Sequence, residues 1–284
     1  MLFADDIGGT LHAVDTASGK ALWTFPLDDR SFAGPLVADG AVIAGSDSGM
    51  LVALDVAPTR APTAARKLIV YAEAAPAADQ FEWFQHGIDR VIFNWFADYG
   101  YAKADDTGLL AAMQAQIDGK GNSAIIFADG HLTPGAALGS PGETLLRRYV
   151  EAGGIAVFLG PNPLSFAYDA KGAVAKFDEA AGLRALGLEP IDVRLDRGYH
   201  VSRYTSAGTR WGLAGFYDTG TPIAPEQVTT ALGRDRIGYP TTWVRGIGDK
   251  GGMIVQLALP RDRMGDLPGA QAAIEHAVAH GANG

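Results

Sequence analysis

"GGIAVFLGPNP", residues 153–163, places a glycine pair ahead of a wholly apolar run and a proline-rich turn behind it. A strand that is apolar at every position is covered on both faces, which is the pattern of a parallel sheet packed between helices. Just upstream, Ser140-Pro141-Gly142-Glu143 reads as a capping box with proline at the first helical position. It predicts a helix over "GETLLRRYVEA" that turns Leu146, Tyr149 and Val150 inward and is stopped by Gly153-Gly154.

Further out, "KLIVYAE" (67–73) and "RVIFNWF" (90–96) read as the first and second strands of the same sheet. "TGLLAAMQAQI" sets Leu109, Leu110, Met113 and Ile117 on one helical face, and "SAIIFADG" (123–130) follows as a strand. A further helix is predicted with Val174, Phe177 and Ala181 on one face, running to about Leu186. Next come "RWGLAGFY" (210–217) and a hairpin, "TTWVRGIGDKGGMIVQLAL", turning at "GDKGG". A last helix carries Leu267, Ala270, Ile274 and Val278 at helical spacing. Short apolar runs alternating with helices give an α/β fold with a mostly parallel sheet over residues 67–284.

The chain has 284 residues, 48% of them hydrophobic, which suffices for a sizeable core. A net charge of −9 with no opposing Lys/Arg cluster argues against a nucleic-acid partner. With no cysteine, disulfides, zinc-thiolate sites, iron–sulfur clusters and a thiol nucleophile are all ruled out. No apolar run is long enough to predict a membrane span.

The first sixty residues have a different grammar. At an offset of 40, "LFADDIGGTLHAVD" (2–15) aligns with "VIAGSDSGMLVALD" (42–55), and Ala4, Gly9, Leu11, Ala13 and Asp15 recur as Ala44, Gly49, Leu51, Ala53 and Asp55. Strand-turn-strand content at this period is a propeller-blade signature. Leu11, Ala13 and Leu22 are expected on one side of a hairpin whose turn, "DTASGK", puts Gly19 where positive φ is needed. Asp6, Asp15, Asp47 and Asp55 read as turn caps. "APTRAPTAARK" (57–67) is too rich in proline, alanine and threonine to pack, and the boundary is placed there: repeat 1–57, linker 58–66, α/β domain 67–284.

The residues "GTLHAVDTASGKALWTF" resemble the PQQ-like β-propeller repeat, in which the tryptophan, here Trp23, docks between blades. The second copy loses the pattern after Asp55, leaving one to two antiparallel blades. Closed propellers need about four to eight. Either further blades lie upstream of Met1 or these strands pack on the second domain; a truncated propeller tail is the preferred reading. No cofactor is expected, since the resemblance to quinone enzymes does not carry their cofactor over to these residues.

"SAIIFADG", "LLRRYVEAGGIAVFLGPNP" and the late hairpin resemble the class I glutamine amidotransferase-like branch of the flavodoxin-like three-layer sandwich. Its non-amidotransferase members, such as trehalose-utilisation-type domains and the trimerisation domains of some glycosidases, are the better likeness. In active members a Gly-x-Cys elbow follows the strand equivalent to "IAVFLG". Here Gly160-Pro161-Asn162 puts a carboxamide at the cysteine's place, and Pro161 removes a backbone N–H. The resemblance also implies a later His-x-Glu pair, but "GYHVSRY" offers His200 with Ser202 at the glutamate's place.

No other motif fills the gap. Ser165 in "NPLSFAY" lacks the glycines of a nucleophile elbow. "GIGDKGG" falls in a hairpin and does not open a helix, so it fails the context of a dinucleotide loop. Asp129 and His131 in "FADGHLTPG" stand at the carboxyl end of a predicted strand, where open sheets bind ligands, although without the histidine pairing of a metal site. Asp129, His131, Asn162 and His200 are therefore the candidate ligand-binding residues, with no metal expected.

Residues 81–101, "FEWFQHGIDRVIFNWFADYGY", hold eight aromatic side chains in 21 positions. The first reading is core beneath helices. The second is an exposed platform of Trp83, Trp95, Tyr99 and Tyr101 for a protein partner or sugar rings. Two functional classes follow: a non-catalytic binding or interaction module, or a carbohydrate-active or other hydrolase built on those four polar candidates. Because the repeat's relatives are commonly exported, a periplasmic or extracellular setting is expected.

Overall fold

The computed structural model describes residues 1–38, 41–55, 66–72, 88–128, 134–137, 139–140, 142–160, 163, 166–168, 174–177, 180–189, 191, 202–217, 221–258 and 267–282. The N-terminal repeat forms two antiparallel meanders. β1 (Leu2–Asp5), β2 (Thr10–Val14) and β3 (Ala21–Pro26) make the first, and β4 (Leu36–Ala38), β5 (Ala41–Gly45) and β6 (Leu51–Asp55) the second. The offset of 40 maps the β1–β2 hairpin onto β5–β6. Gly9 adopts φ 83° because Asp29 crosses so close that a Cβ would lie 2.4 Å from its carbonyl oxygen.

Cross-strand register puts Phe3, Ala13 and Trp23 on one face of the first sheet together with Leu11 and Phe25. That face packs on Val42, Ala44, Val52 and Leu54 of the second sheet. Trp23 lies 5.7 Å from Phe3 within this contact. Leu22, expected beside Leu11, is exposed instead, because the ladder shifts register between Ala13 and Val14 and turns it out of the core.

Asp6 accepts from His12 Nε2 and Thr10 N at 2.9 Å each, and Asp15 accepts from Ser18 Oγ at 2.6 Å and Ala17 N at 3.1 Å. These bonds hold both carboxyls below their ordinary 3.8: chiefly the His12 bond for Asp6, and the Ser18 bond for Asp15. A depressed carboxyl stabilises the fold above its unfolded value, and that support is lost as pH falls through the folded one. Amide-exchange protection at Thr10 and Ala17 is expected to fall below about pH 4, while Asp6→Asn and Asp15→Asn variants should lose that pH dependence.

The rest of the chain builds one mixed sheet. It begins with β7 (Lys67–Tyr71), α1 (Ile88–Asp98), β8 (Ala102–Ala104), α2 (Asp106–Ile117), β9 (Ser123–Phe127), α3 (Pro134–Ala137), α4 (Leu145–Glu151) and β10 (Ile155–Leu159). β11 (Phe166–Tyr168) and β12 (Val174–Phe177) form a separate antiparallel pair, followed by α5 (Ala181–Ala185). β13 (Ser202–Tyr204), α6 (Ser206–Arg210), β14 (Phe216–Tyr217), β15 (Thr230–Arg234), β16 (Pro240–Ile247), β17 (Gly252–Leu257) and α7 (Leu267–His280) complete it.

The nine strands are ordered β14-β13-β15-β16-β17-β10-β9-β7-β8. β8, β7, β9, β10 and β17 are mutually parallel, and the remaining four join antiparallel. Only β16 and β13 oppose the common direction. Numbered along the chain, the parallel strands run 2-1-3-4-5, a doubly wound order.

Strand alternation divides the core into two layers. Val70, Ile126, Val157 and Val255 point to α1, α6 and α7, while Ile69, Ile125, Phe158 and Ile254 point to α2, α4 and α5. At the amino end of the strands, the Arg66 guanidinium donates to the carbonyls of Gly153 at 2.7 Å and of Ser123 and Gly251 at 3.4 Å. Burial depresses its pKa, and the carbonyl contacts fasten three chain segments to one residue. Nearby, the buried Tyr149 hydroxyl shares its one proton between Ser123 O at 2.9 Å and Ile155 O at 3.1 Å. Tyr149→Phe is expected to lower the unfolding free energy by about 1–2 kcal/mol, read by urea titration, because two buried carbonyls lose a donor.

Three sequence expectations are corrected. "RVIFNWF" is helix α1, not a strand: Ile92 and Phe96, one turn apart, face the sheet, and the crossover from β7 to parallel β8 needs a helix there. Val174–Phe177 is strand β12, paired antiparallel to β11, because a short apolar run satisfies either period. The helix after Ser140 starts later, at Leu145. Gly142 has φ 79°, which breaks the helical path, and Thr144 Oγ1 caps it by accepting from Arg147 N at 3.2 Å.

Candidate functional site

The carboxyl ends of β7, β9, β10 and β17 and the beginnings of β16 and β13 share one edge of the sheet. One row of paired residues crosses it. Trp243 pairs with Gln256, Gln256 with Phe158, Phe158 with Phe127 and Phe127 with Tyr71. Side chains paired in this way stand on the same face. Phe127 and Phe158 stack at 4.7 Å and 12°, and Tyr71 meets Phe127 edge-on at 5.7 Å. The Tyr71 hydroxyl donates to Asp106 Oδ1 at 2.7 Å, so the row ends on a carboxylate at the start of α2.

The polar end of the row is incompletely satisfied. Gln256 is 1% exposed; its Nε2 donates to Gly160 O at 2.5 Å, which fixes the amide's orientation, and its Oε1 has no partner among the described residues. The Trp243 indole Nε1, on a side chain that is 0% exposed, has none among the described residues either. Gly160, at the end of β10, is buried and has φ 127°, and a Cβ there would meet no described atom within 4 Å. Thr241 Oγ1 donates to Ser202 Oγ at 3.0 Å, and Ala258 N donates to Thr242 Oγ1 at 3.3 Å, adding buried hydroxyls at the same edge.

These groups are an indole N–H, a carboxamide oxygen and hydroxyls, all neutral. The rings of the row, Trp243, Phe158, Phe127 and Tyr71, belong to the buried layer that packs against α2, α4 and α5. Among the described residues, no three His, Asp or Glu side chains stand close enough to hold a metal ion.

Residues 66–253 of this edge-bearing fold match the MJECL34 family model. The chain belongs to the MJECL34 family. Residues 1–61 match a second model, described as outer membrane protein assembly factor BamB, so the PQQ-like reading of the N-terminal repeat stands. No curated protein matches the chain significantly.

In this MJECL34-family chain, Asp129, His131, Asn162 and His200 lie outside the described residues, as does Trp83. Their described chain neighbours Ala128, Gly160 and Ser202 belong to the carboxyl edge. The exposed aromatic platform is corrected in part. Tyr99 is exposed, but Trp95 is half-buried against it at 4.9 Å, and Tyr101 is buried against Phe96 at 5.0 Å because it follows α1 back under the sheet. Burial, and then the Glu275 charge, push the Tyr101 phenol well above the usual range. Trp243, Gln256 and Tyr71 were missed as site residues. The available signal was one glutamine in the otherwise apolar run "MIVQLAL".

Among the described residues no helix is long and apolar enough to cross a membrane. The BamB-like repeat is consistent with an envelope-associated protein and suggests a propeller-type interaction module.

Proposed function

We propose that the chain is a non-catalytic binding protein of the cell envelope: its PQQ-like repeat is a protein-docking module, and its α/β part, residues 67–284, holds an uncharged, hydroxyl-bearing ligand of the carbohydrate class. The observation that carries this reading is the pair at the carboxyl edge that has no partner among the described residues, Trp243 Nε1 and Gln256 Oε1, both buried. A buried donor or acceptor without a partner costs about 1–3 kcal/mol. One ligand hydroxyl satisfies both, accepting from the indole and donating to the carboxamide.

The α/β part is read as a degenerate amidotransferase-like, flavodoxin-type domain. The 2-1-3-4-5 strand order and the β16–β17 hairpin support that assignment, and Asn162 at the elbow position supports the loss of chemistry. Asp129, His131, Asn162 and His200 are proposed to contribute from the segments that follow β9 and β10 and precede β13 in the chain. A periplasmic setting is proposed from the repeat alone.

Titration calorimetry of the intact chain with neutral mono- and disaccharides tests the reading. Saturable binding is expected, reduced at least tenfold by Gln256→Leu and by Trp243→Phe, with the sugar recovered unchanged. Turnover of an amide, ester or glycoside that Asn162→Ala abolishes would overturn it.

A further inference from the structure

On the reading of the repeat as a protein-docking module, we propose that its docking surface is the rim carrying Ile7 and Phe32. The partner is a polypeptide segment that interleaves lysine or arginine with apolar side chains.

The rim is where strand ends meet. β1 finishes at Asp5, β2 starts at Thr10, β3 finishes at Pro26, and the turn 46–50 joins β5 to β6. The pairing of Leu36 with Ile43 brings the start of β4 to the same end. Segment 27–32 crosses both hairpin tips and is tied to each. On the first, Leu27 N donates to Gly9 O at 2.6 Å and Ser31 Oγ donates to Asp5. On the second, Ser46 Oγ donates to Asp28, Ser48 Oγ donates to Asp28 Oδ2 at 2.6 Å, and Asp47 N donates to Arg30 O at 2.8 Å. The Arg30 guanidinium stands 3.9 Å from the Asp47 carboxylate and 5.8 Å from the centre of the Phe32 ring. These ties shape the rim before anything docks, which lowers the ordering cost of binding.

On this frame two apolar side chains point outward. Ile7, in the tip bracketed by Asp5 and Gly9, is 68% exposed, and Phe32, directly after the buried Ser31, is 64% exposed. Neighbouring blades stack on sheet faces, so these strand-end positions stay open however many blades flank the pair.

Charge selects the partner. Residues 5–9, 27–32 and 46–49 hold five carboxylates, Asp5, Asp6, Asp28, Asp29 and Asp47, against the one cation Arg30. Apart from Arg30 and His12, the groups that bond these carboxylates are hydroxyls and backbone N–H groups, which leave the charge in place. Such a surface repels phosphate, and with it nucleic acid and anionic lipid. A second copy would bring the same negative rim on a chain of net charge −9. Among the described residues no three acidic or histidine side chains converge on a metal ion, so the charge is spread along the rim. A segment with alternating cations and apolar groups meets both features: its cations face the aspartates while its apolar side chains cover Ile7 and Phe32.

Fluorescence anisotropy of the intact chain with short labelled peptides tests this. A peptide alternating lysine with leucine should bind saturably, and more weakly as salt rises. Replacing its leucines by serine, or its lysines by glutamate, should weaken binding about tenfold or more. Ile7→Ser and Phe32→Ser, both at exposed positions, should each do the same, and Asp29→Asn should reduce the salt dependence. Leu22→Ser, at an exposed position toward the other end of β3, should change nothing. Binding of the lysine–leucine peptide that survives both Ile7→Ser and Phe32→Ser leaves the repeat a docking module but overturns the rim as its surface. Equal affinity for the lysine–serine peptide overturns the apolar anchoring. A chain that binds no peptide overturns the proposal together with the docking reading. Self-association that Ile7→Ser and Phe32→Ser abolish, seen by light scattering coupled to size exclusion, overturns the cationic partner, because the occupant is then a second copy.

Discussion

Gly252→Ala is expected to lower the stability of the α/β part by roughly 3–5 kcal/mol, enough to leave little folded protein. Gly252 opens β17 where the hairpin passes the end of α4. A Cβ built there lies 1.8 Å from Val150 O and 2.9 Å from its carbonyl carbon. Both are backbone atoms, so no rotamer change relieves the clash. The strand is held on one side by β10 and on the other by β16, with Ile247 paired to Gly252 itself. Moving it would displace the central strands along with the row that passes through Gln256. Gly119→Ala is the control: its φ of 71° is unfavourable to alanine, but a Cβ there meets nothing within 4 Å, so a loss of only about 1 kcal/mol is expected. Urea unfolding followed by tryptophan fluorescence separates the two.

Phe158→Ala is the second large effect. The ring is 1% exposed, stacked on Phe127 and flanked in its row by Gln256. Removing a buried aromatic ring costs about 3–5 kcal/mol through lost transfer energy and the remaining cavity. For a body of this size that corresponds to a fall in Tm of roughly 6–20 °C. Since the ring also props Gln256, sugar affinity measured well below the new Tm should fall with stability. The reverse need not hold. Gln256→Leu removes an unsatisfied acceptor from an apolar setting, so it should lose binding while keeping most of its stability.

The sequence was most legible where local pattern and tertiary role coincide. β9 and β10 are apolar on both faces because both are buried, and Gly153 stops α4 because only glycine takes φ 97° easily there. The repeat was legible because its two copies preserve the alternation that register requires. Pattern failed where one run fits two periods. Val91, Phe93 and Trp95 alternate like a strand, yet the covering layer claims Ile92 and Phe96 one helical turn apart. Ser140 and Glu143 match a capping box, yet Gly142 bends the chain away before the helix begins.

The site was less legible than the fold. Asp129, Asn162 and His200 were singled out by strand ends and family likeness, which identify an edge. The row from Trp243 to Tyr71 depends on register between strands far apart in the chain, and only the sheet reveals it.

The ligand hydroxyl proposed above would lie between the Trp243 indole and the Gln256 carboxamide. The most direct measurement is the indole 1H–15N spectrum of the intact, labelled chain, with Trp243 assigned by its loss in Trp243→Phe. On titration with a neutral sugar the Trp243 N–H resonance should move downfield and saturate, while the other indole signals stay in place and Gln256→Leu removes the response. A Trp243 signal that ignores every neutral sugar, or one that exchanges with solvent as freely as an exposed indole, would contradict the account.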